Sequence, residues 1–196
     1  MIYYNGKNMH LRITGGKLKG KKIFHKYKIS IRPTSSKVRE SIFNRIINSN
    51  LLEIKILKNN IRFTDIFCGS GIIGFEALSR NFDQVTFIDN NEILINSIYK
   101  NAYNLNLHKK IDTFCANAIT PPKAKASSDI IFLDPPYNSG ISTPTILALE
   151  KRGWISNKTT IFVETSSKEE LITPDSYLIY DVRNYGTTKV STIKKA

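Results

Sequence analysis

A chain of 196 residues with 29 Lys and Arg against 16 Asp and Glu, a formal net charge of +13, can bury one full core without staples and favours polyanionic partners such as nucleic acid. Cys68 and Cys115 have no paired spacing and His10, His25 and His108 are scattered, so neither a disulfide framework nor a metal site is expected, and the chain reads as a reduced, cytoplasmic protein. No apolar run approaches the ~20 residues of a membrane span, and Tyr3-Tyr4-Asn5-Gly6 interrupts any signal-peptide core.

Residues 1–9 read as a flexible tail, 10–60 as an N-terminal extension and 61–196 as one α/β domain. The extension opens on Leu11-Arg12-Ile13-Thr14-Gly15-Gly16-Lys17-Leu18-Lys19-Gly20-Lys21-Lys22-Ile23, where short apolar stretches around glycine turns predict a small β-ribbon. Arg12, Lys17, Lys19, Lys21 and Lys22 on it suit an RNA backbone, and equally a solvated hairpin. After Ile31-Arg32-Pro33-Thr34, the apolar residues Val38, Ile42, Phe43, Ile46 and Ile47 have helical spacing, with Thr34 or Ser36 as the cap. Arg32 and Arg39 flank the helix start, where each can meet a phosphate or pair with a carboxylate. Residues 48–60 are polar and irregular and read as a linker.

From residue 61 strands and helices alternate. Strands are expected at 61–67, 84–88 and 111–115; after the first, Cys68 to Gly74 lead into a helix through Arg80, and a helix over 92–105 follows the second. A Pro- and Lys-containing loop at 119–128 leads into a fourth strand ending at Asp134. A helix over 143–151 precedes strands at 159–163, 177–182 and 188–193, the last two joined as a hairpin by Asn184-Tyr185-Gly186. This order predicts an α/β fold whose seven-stranded sheet is mostly parallel, with its last strand antiparallel.

Gly69-x-Gly71-x-x-Gly74, between a strand and a helix, has the spacing of a dinucleotide fingerprint, and Asp89, followed by Asn90, is placed for ribose hydroxyls. Asp65, within the first strand, argues against a pyrophosphate there and suits a ligand with a cationic sulfonium and an ammonium group, unless it only caps the loop or pairs with Arg62. Ser70 can donate to the ligand carboxylate or cap the helix. Cys68, beside a helix start, reads as a small packing residue. Asn117-Ala118 is placed for an adenine edge, or simply for a turn.

Asp134-Pro135-Pro136-Tyr137 follows the buried run Asp129-Ile130-Ile131-Phe132-Leu133. Two prolines stiffen the corner and remove two donors. The acid and the Pro135 carbonyl can accept from an exocyclic amine while Tyr137 stacks on a base. A plain proline turn uses the same residue types.

Taken together, Arg12-Ile13-x-Gly15-Gly16-x-x-x-Gly20, Arg32-Pro33-Thr34 with Val38-Arg39-Glu40, Asp65-x-Phe67-x-Gly69-Ser70-Gly71-x-x-Gly74, Glu76-Ala77-Leu78-Ser79-Arg80 and Asp134-Pro135-Pro136-Tyr137 resemble the RsmD family, bacterial methyltransferases of a guanine N2 in small-subunit (16S) ribosomal RNA. The resemblance implies a Rossmann-like class I methyltransferase fold and S-adenosylmethionine as cofactor, with S-adenosylhomocysteine as product. It also implies an N-terminal hairpin extension, expected to contact RNA and cover the cofactor site, and a substrate in an assembling or assembled 30S particle, met by a monomer. Three positions depart from the family: Cys68 replaces a usual Ala, Asn117 a usual acid and Asp89 a frequent Glu. The corner alone also suits methylation of adenine N6 or of a protein amide. A nicotinamide-dependent oxidoreductase and a non-catalytic RNA-binding assembly factor are the readings from other classes.

Overall fold

The computed structural model describes residues 9–25, 35–48 and 60–196. An antiparallel hairpin pairs β1 (Met9–Arg12) with β2 (Lys22–His25), placing Leu11 opposite Ile23 and Arg12 opposite Lys22. Between the strands the chain folds back on Ile13, whose N–H donates to the Lys21 carbonyl and whose carbonyl accepts from Gly20. Gly16 has φ +78°, and a Cβ there would stand 2.0 Å from the Ser79 carbonyl oxygen, so only glycine permits this approach. In α1 (Ser36–Asn48) the expected cap moves by one residue: Ser35 Oγ, rather than Ser36, accepts from the Val38 N–H at 3.3 Å. Arg32, Thr34, the tail through residue 8 and the linker over 49–59 lie outside the described residues.

The main sheet and its helices follow as β3 (Arg62–Ile66), α2 (Ile72–Ser79), β4 (Gln84–Asp89), α3 (Glu92–Asn104), β5 (Ile111–Cys115), β6 (Ile130–Leu133), α4 (Ser142–Lys151), β7 (Thr160–Ser166), β8 (Tyr177–Tyr185) and β9 (Thr188–Lys195). Seven strands lie in the order β5-β4-β3-β6-β7-β9-β8. All run parallel except β9, which is antiparallel to both neighbours. This is the mostly parallel, seven-stranded α/β sheet expected from the order of elements. β8 runs three residues beyond the expected 182, because Arg183, Asn184 and Tyr185 find partners in Val190, Lys189 and Thr188 at the start of β9, which leaves Gly186 and Thr187 as the turn in place of Asn184-Tyr185-Gly186.

Strand order reverses between β3 and β6, and such switch points open a crevice at the carboxyl ends of the strands. Ile130, Ile131, Phe132 and Leu133 of β6 are fully buried, since a central parallel strand is covered on both faces. One face packs Phe63, Phe75, Phe87 and Phe132 against Phe43 of α1; the other packs Ile66, Ile131 and Leu133 against Ile146, Leu149 and Trp154. Each such side chain contributes about 1.5–3 kcal/mol through burial.

The hairpin and α1 share this core. Glu76 of α2, with no exposed surface, accepts from the Thr14 N–H at 2.8 Å, from Arg39 Nε at 3.3 Å and from Arg80. Ser79 Oγ donates to the Gly15 carbonyl at 2.5 Å and accepts from the Leu18 N–H at 2.9 Å. The glycine-rich motif and Glu76-Ala77-Leu78-Ser79-Arg80 therefore hold each other.

Candidate functional site

The site assembles where β3, β4 and β6 end. Phe67, just past β3, takes φ +58°, a conformation that bulky residues rarely adopt and that often marks a functional turn. The Gly71 N–H bonds the Cys68 carbonyl, and α2 starts from Gly71 at φ +74°. Gly74 packs so closely on β4 that a Cβ would lie 2.2 Å from the Phe87 ring.

Asp89 ties two loops together. Its Oδ2 accepts from the Gly69 N–H and its Oδ1 from the Asn91 N–H, both at 2.9 Å. Each carboxylate oxygen retains a second lone pair for a ligand. Asn91 in turn caps α3, accepting from the N–H groups of Ile93 and Leu94.

One cleft of ≈ 690 Å³ joins these loops to the acidic corner, a volume within the usual range of cofactor sites. Of the residues expected from sequence, Gly69, Asp89, Asn90 and Asn117 line it at one end, and Asp134, Pro135, Pro136 and Tyr137 at the other. Asn117 also serves a turn, its Oδ1 accepting from the Ile119 N–H at 3.1 Å. Tyr137 is held at the rim through a 3.3 Å contact between its hydroxyl and Thr188.

Other expected residues stand behind the cleft. Asp65 is 2% exposed and accepts from the Gly74 N–H at 3.0 Å, so it braces the glycine loop from beneath, as the loop-capping alternative holds. Burial lifts its carboxyl well above the usual range, and the charge of Asp89 adds to the lift, against the Gly74 bond. Cys68 is buried, and burial together with Asp65 and Asp89 pushes its thiol up, which suits packing. Ser70 and Ala118 are buried, Gly71 and Gly74 carry the turn, and no side chain caps α2.

Arg39 is corrected. As a phosphate contact it would need solvent access, yet it is 3% exposed, bonded to Glu76 and, through its terminal nitrogen, to the Arg12 carbonyl at 2.9 Å. Arg12, Lys17, Lys19, Lys21 and Lys22 are exposed but do not line the cleft. The Lys17 N–H bonds the Ser79 carbonyl, at the end of α2 opposite the glycine loop. At 1.5 Å rise per residue α2 separates the two by about 12 Å.

Several lining residues had no readable signal. Leu94, Ile119 and Ile141 form apolar walls, and Phe67 enters through its backbone turn. Glu164 of β7, which does not line the cleft, likewise gave no signal in the sequence. Leu133 pairs with Val163, so Glu164 follows on the strand beside Asp134, and it is only 3% exposed. Burial lifts the Asp134 carboxyl well above the usual range, with Glu164 and then Asp65 adding like charge. Within β7, Glu164 reads as one polar residue in an apolar strand; only the neighbouring strand gives it a meaning.

The cleft thus presents the acids Asp89 and Asp134 with apolar walls, and among the described residues no Lys or Arg lines it. That donor set fits S-adenosylmethionine, a cationic nucleoside without phosphate, better than a pyrophosphate-bearing dinucleotide.

Comparison with known proteins gives a consistent result. The model of the family described as "Conserved hypothetical protein 95" matches residues 11–194. A protein of Buchnera aphidicola named ribosomal RNA small subunit methyltransferase D is 33% identical over 176 residues, 89% of this chain and 87% of its own length. A solved putative methyltransferase from Escherichia coli superposes with a TM-score of 0.76 at 26% identity, covering 95% of this chain and 98% of that one. A putative methylase from Haemophilus influenzae does so at 0.75 and 25%, covering 95% and 99%.

Proposed function

This chain belongs to the family described as conserved hypothetical protein 95, the RsmD family, and from that premise we propose that it transfers a methyl group from S-adenosylmethionine to the exocyclic N2 of a guanine in small-subunit ribosomal RNA. The observation that carries the reading is the single cleft running from Gly69 and Asp89 to Asp134-Pro135-Pro136-Tyr137. The name of the Buchnera relative supports ribosomal RNA as the substrate.

S-adenosylmethionine, when bound, supplies an electrophilic methyl on a cationic sulfur. Gly69 and Asp89 are the residues that would hold its nucleoside, with Leu94 and Ile119 as apolar walls. The guanine amine is a poor nucleophile because its lone pair is delocalised into the ring. Ionised Asp134 and the Pro135 carbonyl accept its two hydrogens and turn the lone pair outward. Tyr137 stacks on the base, which must be unpaired to enter. Positioning of this kind supplies up to about 7–11 kcal/mol in favourable model systems. Asp134 is also the group that takes the proton released on transfer. Its raised pKa makes it a stronger base than an ordinary carboxylate once ionised.

The test is tritiated methyl transfer to undermethylated small subunits, followed by mapping of the labelled base. Label on guanine N2 is expected. Label on adenine N6 or on a ribosomal protein would overturn the substrate assignment.

A further inference from the structure

β2 and α3 meet along a surface that the cleft does not use. Asn101 joins them: its Nδ2 donates to the Phe24 carbonyl at 2.7 Å and its Oδ1 accepts from the Phe24 N–H at 3.0 Å, as a neighbouring strand would. The Phe24 ring remains 47% exposed, beside a cavity of ≈ 390 Å³ bordered by Arg12, Lys21, Lys22 and Asn104. On the outer face of α3, Tyr99 and Tyr103 stand one turn apart, 52% and 62% exposed. Lys100 and Asn104, also exposed, lie between these tyrosines and the hairpin. His10 packs on Phe24 with ring centres 6.1 Å apart, and His108 on Tyr103 at 5.3 Å. Aromatic and basic side chains thus alternate across a helix whose diameter is about 10–12 Å.

The charge on this strip has one sign. Residues 9–25 and 93–111 hold no Asp or Glu, while the first carries its basic run from Arg12 to Lys22 and the second carries Lys100, Lys109 and Lys110. A merely solvated face mixes charges and has no use for exposed rings. Single-stranded nucleic acid uses both features: cations neutralise phosphates and rings stack on unpaired bases. A duplex could engage only the cations, because its bases are already stacked.

We propose that the β2–α3 strip binds single-stranded RNA, as a second contact outside the cleft. This rests on the reading of the chain as a ribosomal RNA methyltransferase and adds to it where the substrate is held. Phe24, Tyr99 and Tyr103 stack on bases, and Lys22 and Lys100 pair with phosphates.

Fluorescence anisotropy with a labelled short oligouridylate, and with a duplex RNA of equal length, tests it on the full chain. The double variant Tyr99→Ala/Tyr103→Ala should lose about tenfold or more in oligouridylate affinity, given what one stacked base contributes. Its duplex affinity and S-adenosylmethionine affinity should be unchanged. Tyr99→Phe/Tyr103→Phe, which keeps the rings, should bind like the wild type. Lys100→Ala should reduce the slope of log affinity against log salt by roughly one. Wild-type oligouridylate binding by the alanine variant overturns the proposal, as does an equal loss in the phenylalanine variant. If methyl transfer to small subunits fails while the tyrosines still govern oligouridylate affinity, the enzymatic reading falls and the strip stands.

Discussion

Arg39 of α1 and Glu76 of α2 form a buried ion pair, Nε to Oε1 at 3.3 Å, with side chains 4% and 0% exposed. The same carboxylate holds the Thr14 N–H and Arg80, so one acid joins the hairpin, the first helix and its own helix. Removing it deprives two buried guanidinium groups of their carboxylate. Glu76→Ala should cost about 3–5 kcal/mol, the usual effect of breaking a buried pair. Glu76→Gln, which can still accept from Thr14, should cost less. Urea unfolding followed by circular dichroism measures both; unchanged midpoints would deny the acid its joining role.

The two ends of the cleft should separate in binding and turnover. Asp134→Ala should abolish methyl transfer while S-adenosylmethionine affinity stays near the wild-type value. Asp89→Ala should weaken that affinity by roughly tenfold or more, since a hydrogen bond to a charged group contributes about 1.5–3 kcal/mol. Isothermal titration calorimetry beside a transfer assay reads both, and normal turnover by the Asp134 variant would remove the corner from the mechanism.

Glu164 should set the pH dependence of the reaction. Burial, and then the charge of Glu164, raise the Asp134 carboxyl, and its ionised form is the one that accepts the amine hydrogens. Transfer should therefore rise with pH as Asp134 ionises. Glu164→Gln removes the like charge, so the rise should move to lower pH. A profile that does not move, or moves upward, contradicts this coupling.

Asp65 gives a stability effect whose sign follows from burial. Burial lifts its folded pKa well above that of a free carboxyl, so the native state is favoured at acid pH and loses stability as pH rises through the folded pKa. Asp65→Asn keeps an acceptor for the Gly74 N–H and removes the titration. The variant should be nearly as stable as the wild type near pH 4 and relatively more stable as pH increases. Parallel urea titrations across that range check it.

Gly74 tests the contact between the glycine loop and β4. A methyl group there meets the Phe87 ring at 2.2 Å. Gly74→Ala should destabilise by about 1–3 kcal/mol, as overpacking does, and should also weaken cofactor binding. A thermal shift assay with and without S-adenosylmethionine separates the two effects.

The alternation of strands and helices, the glycine loop after β3, the acid ending β4 and the proline corner ending β6 were all legible in the chain. Each is a local pattern: strand and helix periods, turn residues, and positions counted from the end of an apolar run. Depth was not legible. Asp65 and Asp89 look alike in sequence, yet one braces the loop from beneath while the other lines the cleft. Arg39 read as a partner for either a phosphate or a carboxylate, and only its burial beside Glu76 decides for the carboxylate.

Sequence by itself determined the order of elements and the residue types at each strand end, because these depend on neighbours within a few positions. Only the tertiary structure decided which side chains share a wall. Glu164 lies beside Asp134 because β7 pairs in parallel with β6, and Asn101 closes on Phe24 from 77 positions away in the chain. Such contacts depend on sheet order and helix rotation, which arise from packing the whole core and leave no mark on any short stretch of chain.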